Sequence, residues 1–109
     1  MEEVIRKVIE FRDQRNWGQF HNPKDLSISL ALEASELLEN FQWRTNEEAL
    51  TENQENIRDE MADVAIYLIA LADLLDVDME EAILSKLAKN AKKYPVDKSY
   101  GSLKKYTKL

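Results

Sequence analysis

The stretch DEMADVAIYLIALADLL, from Asp59 to Leu75, is the strongest indicator of fold in this chain. It is long enough for several helical turns, and after Glu60 it is almost wholly apolar. A helix that is apolar on more than one face is buried on more than one side. Yet Asp63 lies inside this segment, and Tyr67 follows one helical turn later. The segment therefore predicts a buried helix that carries a polar seam.

An upstream segment, ISLALEASELLENF from Ile28 to Phe41, repeats the pattern with Glu33 and Glu36. Burying an ionised carboxylate costs several kcal/mol unless a partner compensates its charge. Few lysines or arginines stand near these acids in the sequence. A metal ion is therefore the first candidate for the missing positive charge.

The composition narrows the class of protein. A chain of 109 residues fits a single domain, 1–109, and with only 2 glycines and 2 prolines it favours helices over a turn-rich sandwich. The segment from about residue 95 to 109 has no clear period, and we expect an extended C-terminal tail.

Because the chain has no cysteine, any metal must be held by oxygen, with a single histidine available. Mg²⁺ or Mn²⁺ suits such ligands best.

The charge balance bears on partners and location. A net charge of -6 argues against non-specific binding of DNA or RNA, which needs a basic face. The N-terminal residues lack signal-peptide character, and the longest apolar run is interrupted by Asp63 and Asp73. A membrane span needs roughly 20 apolar residues. We therefore expect a cytoplasmic protein with no membrane or nucleic-acid partner.

Apolar periodicity and capping residues predict four helices joined by short connections. The first covers about residues 2–16, and the second runs from a cap at Asn22 or Asp25 to about residue 42. The third covers about residues 45–75, with a first turn that could be irregular, and the fourth about residues 78–93. The predicted fold is all-α, a four-helix bundle. Because the second and third helices are apolar on more than one face, we also expect an oligomer, a tetramer rather than a dimer.

The polar residues of these two helices fall on narrow arcs, because steps of three and four share a helix face. The arc on the second helix consists of Ser29, Glu33, Glu36 and Asn40. The arc on the third consists of Asn56, Glu60, Asp63 and Tyr67. If the two helices pack antiparallel with the arcs facing, four carboxylates converge. Such a cluster would hold Mg²⁺ and leave coordination positions open for phosphate oxygens.

Two chemistries commonly use carboxylate bundles. Di-iron sites add Glu-x-x-His motifs, whereas the only histidine here, His21, lies in a predicted loop. Mg²⁺-dependent phosphate chemistry needs oxygen ligands alone. Rings at Trp17, Phe20, His21 and Trp43 border the acidic helix. They suit either a nucleobase pocket or core packing.

Three motifs together resemble the MazG-like group of all-α nucleoside triphosphate pyrophosphohydrolases, in particular its short dCTP pyrophosphatase-like branch. The first is NWGQFHNPKDLSISLALEASELLENFQW (Asn16 to Trp43), with its Glu-x-x-Glu pair. The second is the Glu-x-x-Asp segment from Asp59 onward, and the third is KLAKNAKKYP (Lys86 to Pro95). The resemblance covers nearly the whole chain. It departs from the family pattern at Ala34 and Ser35, where glycine is frequent.

The resemblance implies hydrolysis of a nucleoside triphosphate to monophosphate and pyrophosphate, with dCTP or a modified pyrimidine nucleotide as the expected substrate. It implies that the Mg²⁺ ligands are Glu33, Glu36, Glu60 and Asp63. One of these carboxylates, with Glu36 as the candidate, would also orient the attacking water. The implied base and sugar site consists of Trp17, His21, Trp43 and Tyr67. Asn90 and Lys93 would contact the nucleotide from the last helix.

Two other functions stay open at this point. One is a non-catalytic helical oligomer whose acids hold structural metal. The other is an enzyme like a phosphoribosyl-ATP pyrophosphohydrolase, although the aromatic loop favours a dCTP-like substrate. The preferred base and sugar and the number of metal ions per site are likewise open.

Overall fold

The structure, a computed structural model, describes residues 1–109 and is helical throughout, without a strand. The helices are α1 (Glu2–Gln14), α2 (Pro23–Glu39), α3 (Asn46–Glu52), α4 (Gln54–Leu74), α5 (Met79–Lys93) and α6 (Val96–Ser99). Short 3-10 turns cover Trp17–Phe20 and Tyr106–Lys108. The all-α prediction is confirmed. The chain divides into two compact units, Met1–Val77 and Asp78–Leu109. The prediction that residues 1–109 form one domain, which would include both units, stays a prediction.

Side-chain caps set the predicted helix starts. Asn22 is the N-cap of α2, and its side chain accepts a hydrogen bond from the Asp25 N–H at 2.8 Å. Thr45 and Glu48 form a reciprocal capping box at α3, as the sequence predicted. Asp78 caps α5 by accepting from the Glu81 N–H at 3.1 Å. These caps satisfy backbone N–H groups that a helix cannot pair internally.

The predicted third helix is in fact two helices, α3 and α4, which meet at Asn53. Asn53 has φ −122° and ψ 18°, outside the helical range, and its side chain donates to the backbone carbonyl of Asn40 at 2.9 Å. A tertiary hydrogen bond to the end of α2 thus accompanies a break that periodicity alone does not reveal.

The C-terminal tail is more ordered than the sequence indicated. It contains α6 and a 3-10 turn, and the Tyr106 ring packs edge-on against Tyr94 with centroids 6.0 Å apart. The Lys93 ammonium lies 4.9 Å from the centroid of the Tyr106 ring. Aromatic and cation–π contacts of this kind explain why a segment without apolar period is still structured.

In the first unit, α2 packs along α4. The end of α2 meets the start of α4 through the Asn40–Asn56 hydrogen bond, while Glu36 and Glu33, earlier in α2, lie beside Glu60, later in α4. The two helices therefore run antiparallel. Helix α1 joins them through an ion pair between Arg12 and Asp73 at 2.7 Å. None of the helices combines the length and apolarity that crossing a bilayer requires.

Few side chains of the single chain are fully buried. The buried apolar residues are Leu26, Ala49, Ile69, Ala70 and Ala72. Meanwhile Leu32, Leu38 and Met61, on the two helices predicted to be buried on several sides, are 59%, 69% and 58% exposed. Large exposed apolar surfaces are typical of interfaces. This exposure supports the predicted oligomer, which stays a prediction.

Candidate metal centre

Three of the four predicted ligands come together where α2 and α4 face each other. Glu33, Glu36 and Glu60 each offer a carboxylate oxygen, and these oxygens lie within 4.8 Å of one another. Glu33 and Glu36 share a face because three residues separate them on one helix. The antiparallel register then brings Glu60 opposite to them. Three carboxylates at this separation are a suitable oxygen-donor set for a hard divalent cation.

The electrostatics of the cluster indicate a missing positive charge. One oxygen each of Glu33 and Glu60, the Oε2 atom, is buried without a hydrogen-bond donor. Burial and the adjacent carboxyls of Glu60 and Glu36 raise the pKa of Glu33 from 4.5 to about 7. The pKa of Glu60 is lowered by its contact with Glu33, but burial and the nearby Glu36 and Asp63 outweigh this and raise it. Carboxylates so placed favour either a shared proton or a bound cation.

Asp63 lies beside this group but outside the compact set of three. Its charge is close enough to contribute to the raised pKa values of Glu33 and Glu60. Like those two residues, it is half-buried. Its role as a fourth ligand stays a prediction, as does ligation by the other three.

Trp17 and Trp43, two of the predicted base-binding rings, occupy different surroundings. Trp17 is half exposed and packs edge-on against Phe11, with ring centroids 5.7 Å apart. Trp43 is 92% exposed in the turn after α2, and its backbone is left-handed with φ 62°. Core packing, which the sequence had left open for Trp43, is therefore wrong for the single chain. A bulky residue in this backbone region is strained, which is a feature of functional turns.

His21 and Tyr67 are half-buried. His21 follows the 3-10 turn, and its Nδ1 atom is buried without a hydrogen-bond partner. Tyr67 lies on α4 one turn after Asp63. Asn90 and Lys93 both lie on α5 in the second unit, where the Lys93 ammonium faces Tyr106. Nucleotide contacts by all four residues stay predictions.

Asn40 and Asn56 lie on the two polar arcs that the sequence predicts, where no motif assigns them a function. In the structure the Asn56 side-chain nitrogen donates to the Asn40 side-chain oxygen at 2.8 Å. The antiparallel register of α2 against α4 is the signal from which this contact could have been predicted. Antiparallel helices that bring Glu36 to Glu60 must also bring Asn40, one turn on, to Asn56, one turn back.

Known proteins share both the sequence and the fold. Residues 28–109 match the model of the MazG-like family. The chain is 40% identical over 114 aligned residues to dCTP pyrophosphatase 1 of Bos taurus and 39% identical to that of Homo sapiens, spanning 100% of this chain and 68% and 67% of those proteins. A crystal structure of a pyrophosphatase from Archaeoglobus fulgidus superimposes with a TM-score of 0.81 at 42% identity, covering 87% of this chain and 92% of that one.

The matched region contains all three residues of the acidic cluster, Glu33, Glu36 and Glu60. The chain belongs to the MazG-like family and is a nucleotide pyrophosphohydrolase.

Proposed function

We propose that this protein is a Mg²⁺-dependent nucleoside triphosphate pyrophosphohydrolase whose substrate is dCTP or a modified pyrimidine nucleotide. The observation that carries the metal requirement is the cluster of Glu33, Glu36 and Glu60 with its two buried, unpartnered oxygens. The substrate rests on the similarity to dCTP pyrophosphatase 1 across the whole chain. Water adds across the α–β phosphoanhydride bond and yields the monophosphate and pyrophosphate.

The residues present fit a divalent cation. Glu33 and Glu60 would hold it through their buried oxygens, Glu36 would complete the compact set, and Asp63 would add a fourth carboxylate. When bound, Mg²⁺ neutralises the triphosphate and polarises its phosphoryl oxygens. Mn²⁺ has the same preference for oxygen ligands and should replace it.

Glu36 is the member of the cluster best placed to handle the attacking water. It is exposed, whereas Glu33 and Glu60 are half-buried. An exposed carboxylate at the edge of the cluster can accept a hydrogen bond from a solvent water and take up its proton. Glu33 and Glu60 would then bind the cation, whose positive charge offsets the negative charge of the bound triphosphate.

Trp43 would recognise the base. Its ring is presented to solvent by a strained turn that directly follows the acidic helix, so a stacked base would need no rearrangement of the core. Stacking on one aromatic ring contributes roughly 1–3 kcal/mol. His21, with its unpartnered Nδ1, supplies a polar atom for the pyrimidine or the sugar.

The test is hydrolysis of a panel of ribo- and deoxyribonucleoside triphosphates with Mg²⁺, Mn²⁺ or excess EDTA. Separation of the products should show monophosphate and pyrophosphate, with the highest kcat/KM for a cytosine nucleotide and no turnover in EDTA. Glu60→Gln should be inactive, while Asp59→Asn, an exposed neighbour on the same helix, should retain activity. Full turnover in EDTA would overturn the proposal, and hydrolysis of no nucleotide would support the non-catalytic alternative.

A further inference from the structure

Asn40, at the C-cap of α2, is the one buried polar residue of the chain, with 6% of its surface exposed. Its side-chain nitrogen donates to the backbone carbonyls of Glu36 and Leu37, both at 3.2 Å. Its side-chain oxygen accepts from Asn56 at 2.8 Å, and its backbone carbonyl accepts from Asn53 at 2.9 Å. The Asn40 side chain is thus fully hydrogen-bonded, within α2 and across to α4.

This amide pair lies directly beside the acidic cluster. Asn40 follows Glu36 by one helical turn, and Asn56 precedes Glu60 by one turn. The pair therefore ties α2 to α4 one turn from the carboxylates, and Asn40 also holds the backbone of Glu36 itself.

The cluster next to it tends to separate the two helices, since carboxylate oxygens from both sides lie within 4.8 Å of one another and repel when ionised. A directional hydrogen bond resists both separation and sliding, whereas an apolar contact tolerates small slips. Single buried amides fix helix register in coiled coils at a cost in stability. Asn40 therefore has two roles, since it caps carbonyl groups at the end of α2 and fixes the register of α2 against α4.

Register matters here because the proposed ligand is exacting. Mg²⁺ requires near-octahedral geometry, with oxygens at about 2.0–2.1 Å. Since Glu33 and Glu36 lie on one helix and Glu60 on the other, a small slide of α2 along α4 changes the separation between the two groups of ligands.

We propose that Asn40 and Asn56 are positioning residues for the metal centre: their hydrogen bond sets the register of α2 on α4 and thereby the distance between Glu33–Glu36 and Glu60. The inference rests on the proposed function, because it assumes that the cluster binds a divalent cation. It goes beyond that function in assigning a role to two amides that carry no charge and are not among the candidate ligands.

The experiment measures Mn²⁺ binding to the metal-free protein by electron paramagnetic resonance, together with melting temperature. Asn56→Ala removes one partner and should weaken Mn²⁺ binding by about tenfold or more, the usual effect of losing a residue that orients a ligand. The double variant Asn40→Leu, Asn56→Leu leaves no amide side chain unpaired, although the carbonyls of Glu36 and Leu37 lose a donor. It should melt closer to the wild-type temperature than Asn56→Ala does, yet weaken Mn²⁺ binding similarly. Asn56 is an exposed residue, so its truncation leaves the core intact.

Thr45→Ala is the matched control, since it removes the cap of α3 without touching the amide pair. It should lower the melting temperature and leave Mn²⁺ affinity unchanged. The inference is overturned if Asn56→Ala and the double variant bind Mn²⁺ as tightly as the wild type does. It is also overturned if Thr45→Ala lowers the melting temperature as much as Asn56→Ala does and weakens Mn²⁺ binding by the same factor. Either result would leave the proposed function standing. A wild-type protein that binds no Mn²⁺ would overturn both.

Discussion

Glu33 on α2 and Glu60 on α4 each bury a carboxylate oxygen that has no hydrogen-bond donor. The two side chains face each other between antiparallel helices, with Glu36 completing a compact group. Because ionised carboxylates repel, this arrangement raises the free energy of the metal-free protein. Binding of a cation compensates the repulsion and lowers the free energy again.

Neutralising one carboxylate should stabilise the metal-free protein while destroying its metal site. Glu33→Gln keeps the shape of the side chain but removes one of the repelling charges. We expect its melting temperature in EDTA at pH 8 to rise by several degrees, and its stabilisation by added Mg²⁺ to disappear. Asp59→Asn, which removes an exposed charge on α4, should change neither value appreciably. A lower melting temperature for Glu33→Gln in EDTA would show that Glu33 has a structural partner instead.

The stability of the metal-free protein should fall as the pH rises from about 4.5 to about 7. The pKa of Glu33 is 4.5 in the unfolded reference and about 7 in the fold, raised by burial and by Glu60 and Glu36. The folded state thus binds the proton more tightly, so its advantage is complete below pH 4.5 and lost above pH 7. Melting curves in EDTA across this range should show the decline. The variant Glu33→Gln, Glu60→Gln should flatten it, and an unchanged slope would contradict the assignment.

Metal affinity should change with pH in the opposite direction. A cation must displace the proton that Glu33 retains up to about pH 7, so binding is weaker in acid and releases protons. Calorimetric titration with Mg²⁺ at pH 6 and pH 8, in buffers of different ionisation enthalpy, should show tighter binding at pH 8 and proton release at pH 6. Equal affinity at both values, with no proton released, would contradict a protonated Glu33.

The sequence was sufficient to predict that Glu33, Glu36 and Glu60 approach one another, because both carboxylate pairs follow the helical period and stand in apolar surroundings. The antiparallel register then required Glu36 to approach Glu60. An irregular first turn was anticipated for the third helix, but the position of the break at Asn53 was not predictable in this way, because it coincides with a hydrogen bond to Asn40, which is 13 residues away in the chain. The ordered tail was missed for the same reason, since Tyr94 and Tyr106 stabilise it by a ring contact without periodicity.

The protein should assemble through the exposed apolar faces of α2 and α4. Leu32 and Leu38 are more than half exposed in the single chain, and exposed apolar residues on neighbouring helices are typical of a surface covered by another chain. We expect a tetramer by sedimentation, with Leu38→Lys shifting the protein to smaller species. Leu103→Lys, at a fully exposed site in the C-terminal segment, is the control and should leave assembly unchanged. A stable, active wild-type monomer of 12.7 kDa would refute this prediction.

Trp43→Ala should weaken nucleotide binding without unfolding the protein. Because the ring is 92% exposed in the chain, its removal leaves no cavity, and the melting temperature should change little. If a base stacks on it, the lost contact of roughly 1–3 kcal/mol raises KM for the best nucleotide by about tenfold or more, with Mn²⁺ affinity unchanged. Tyr100→Ala removes a comparably exposed ring, 90% exposed in the second unit, and should leave KM as it is. Steady-state kinetics, melting curves and sedimentation together distinguish a base-stacking role of Trp43 from packing in an interface between chains. A normal melt and assembly with unchanged KM would remove Trp43 from the base site, and smaller assemblies would place it in an interface between chains.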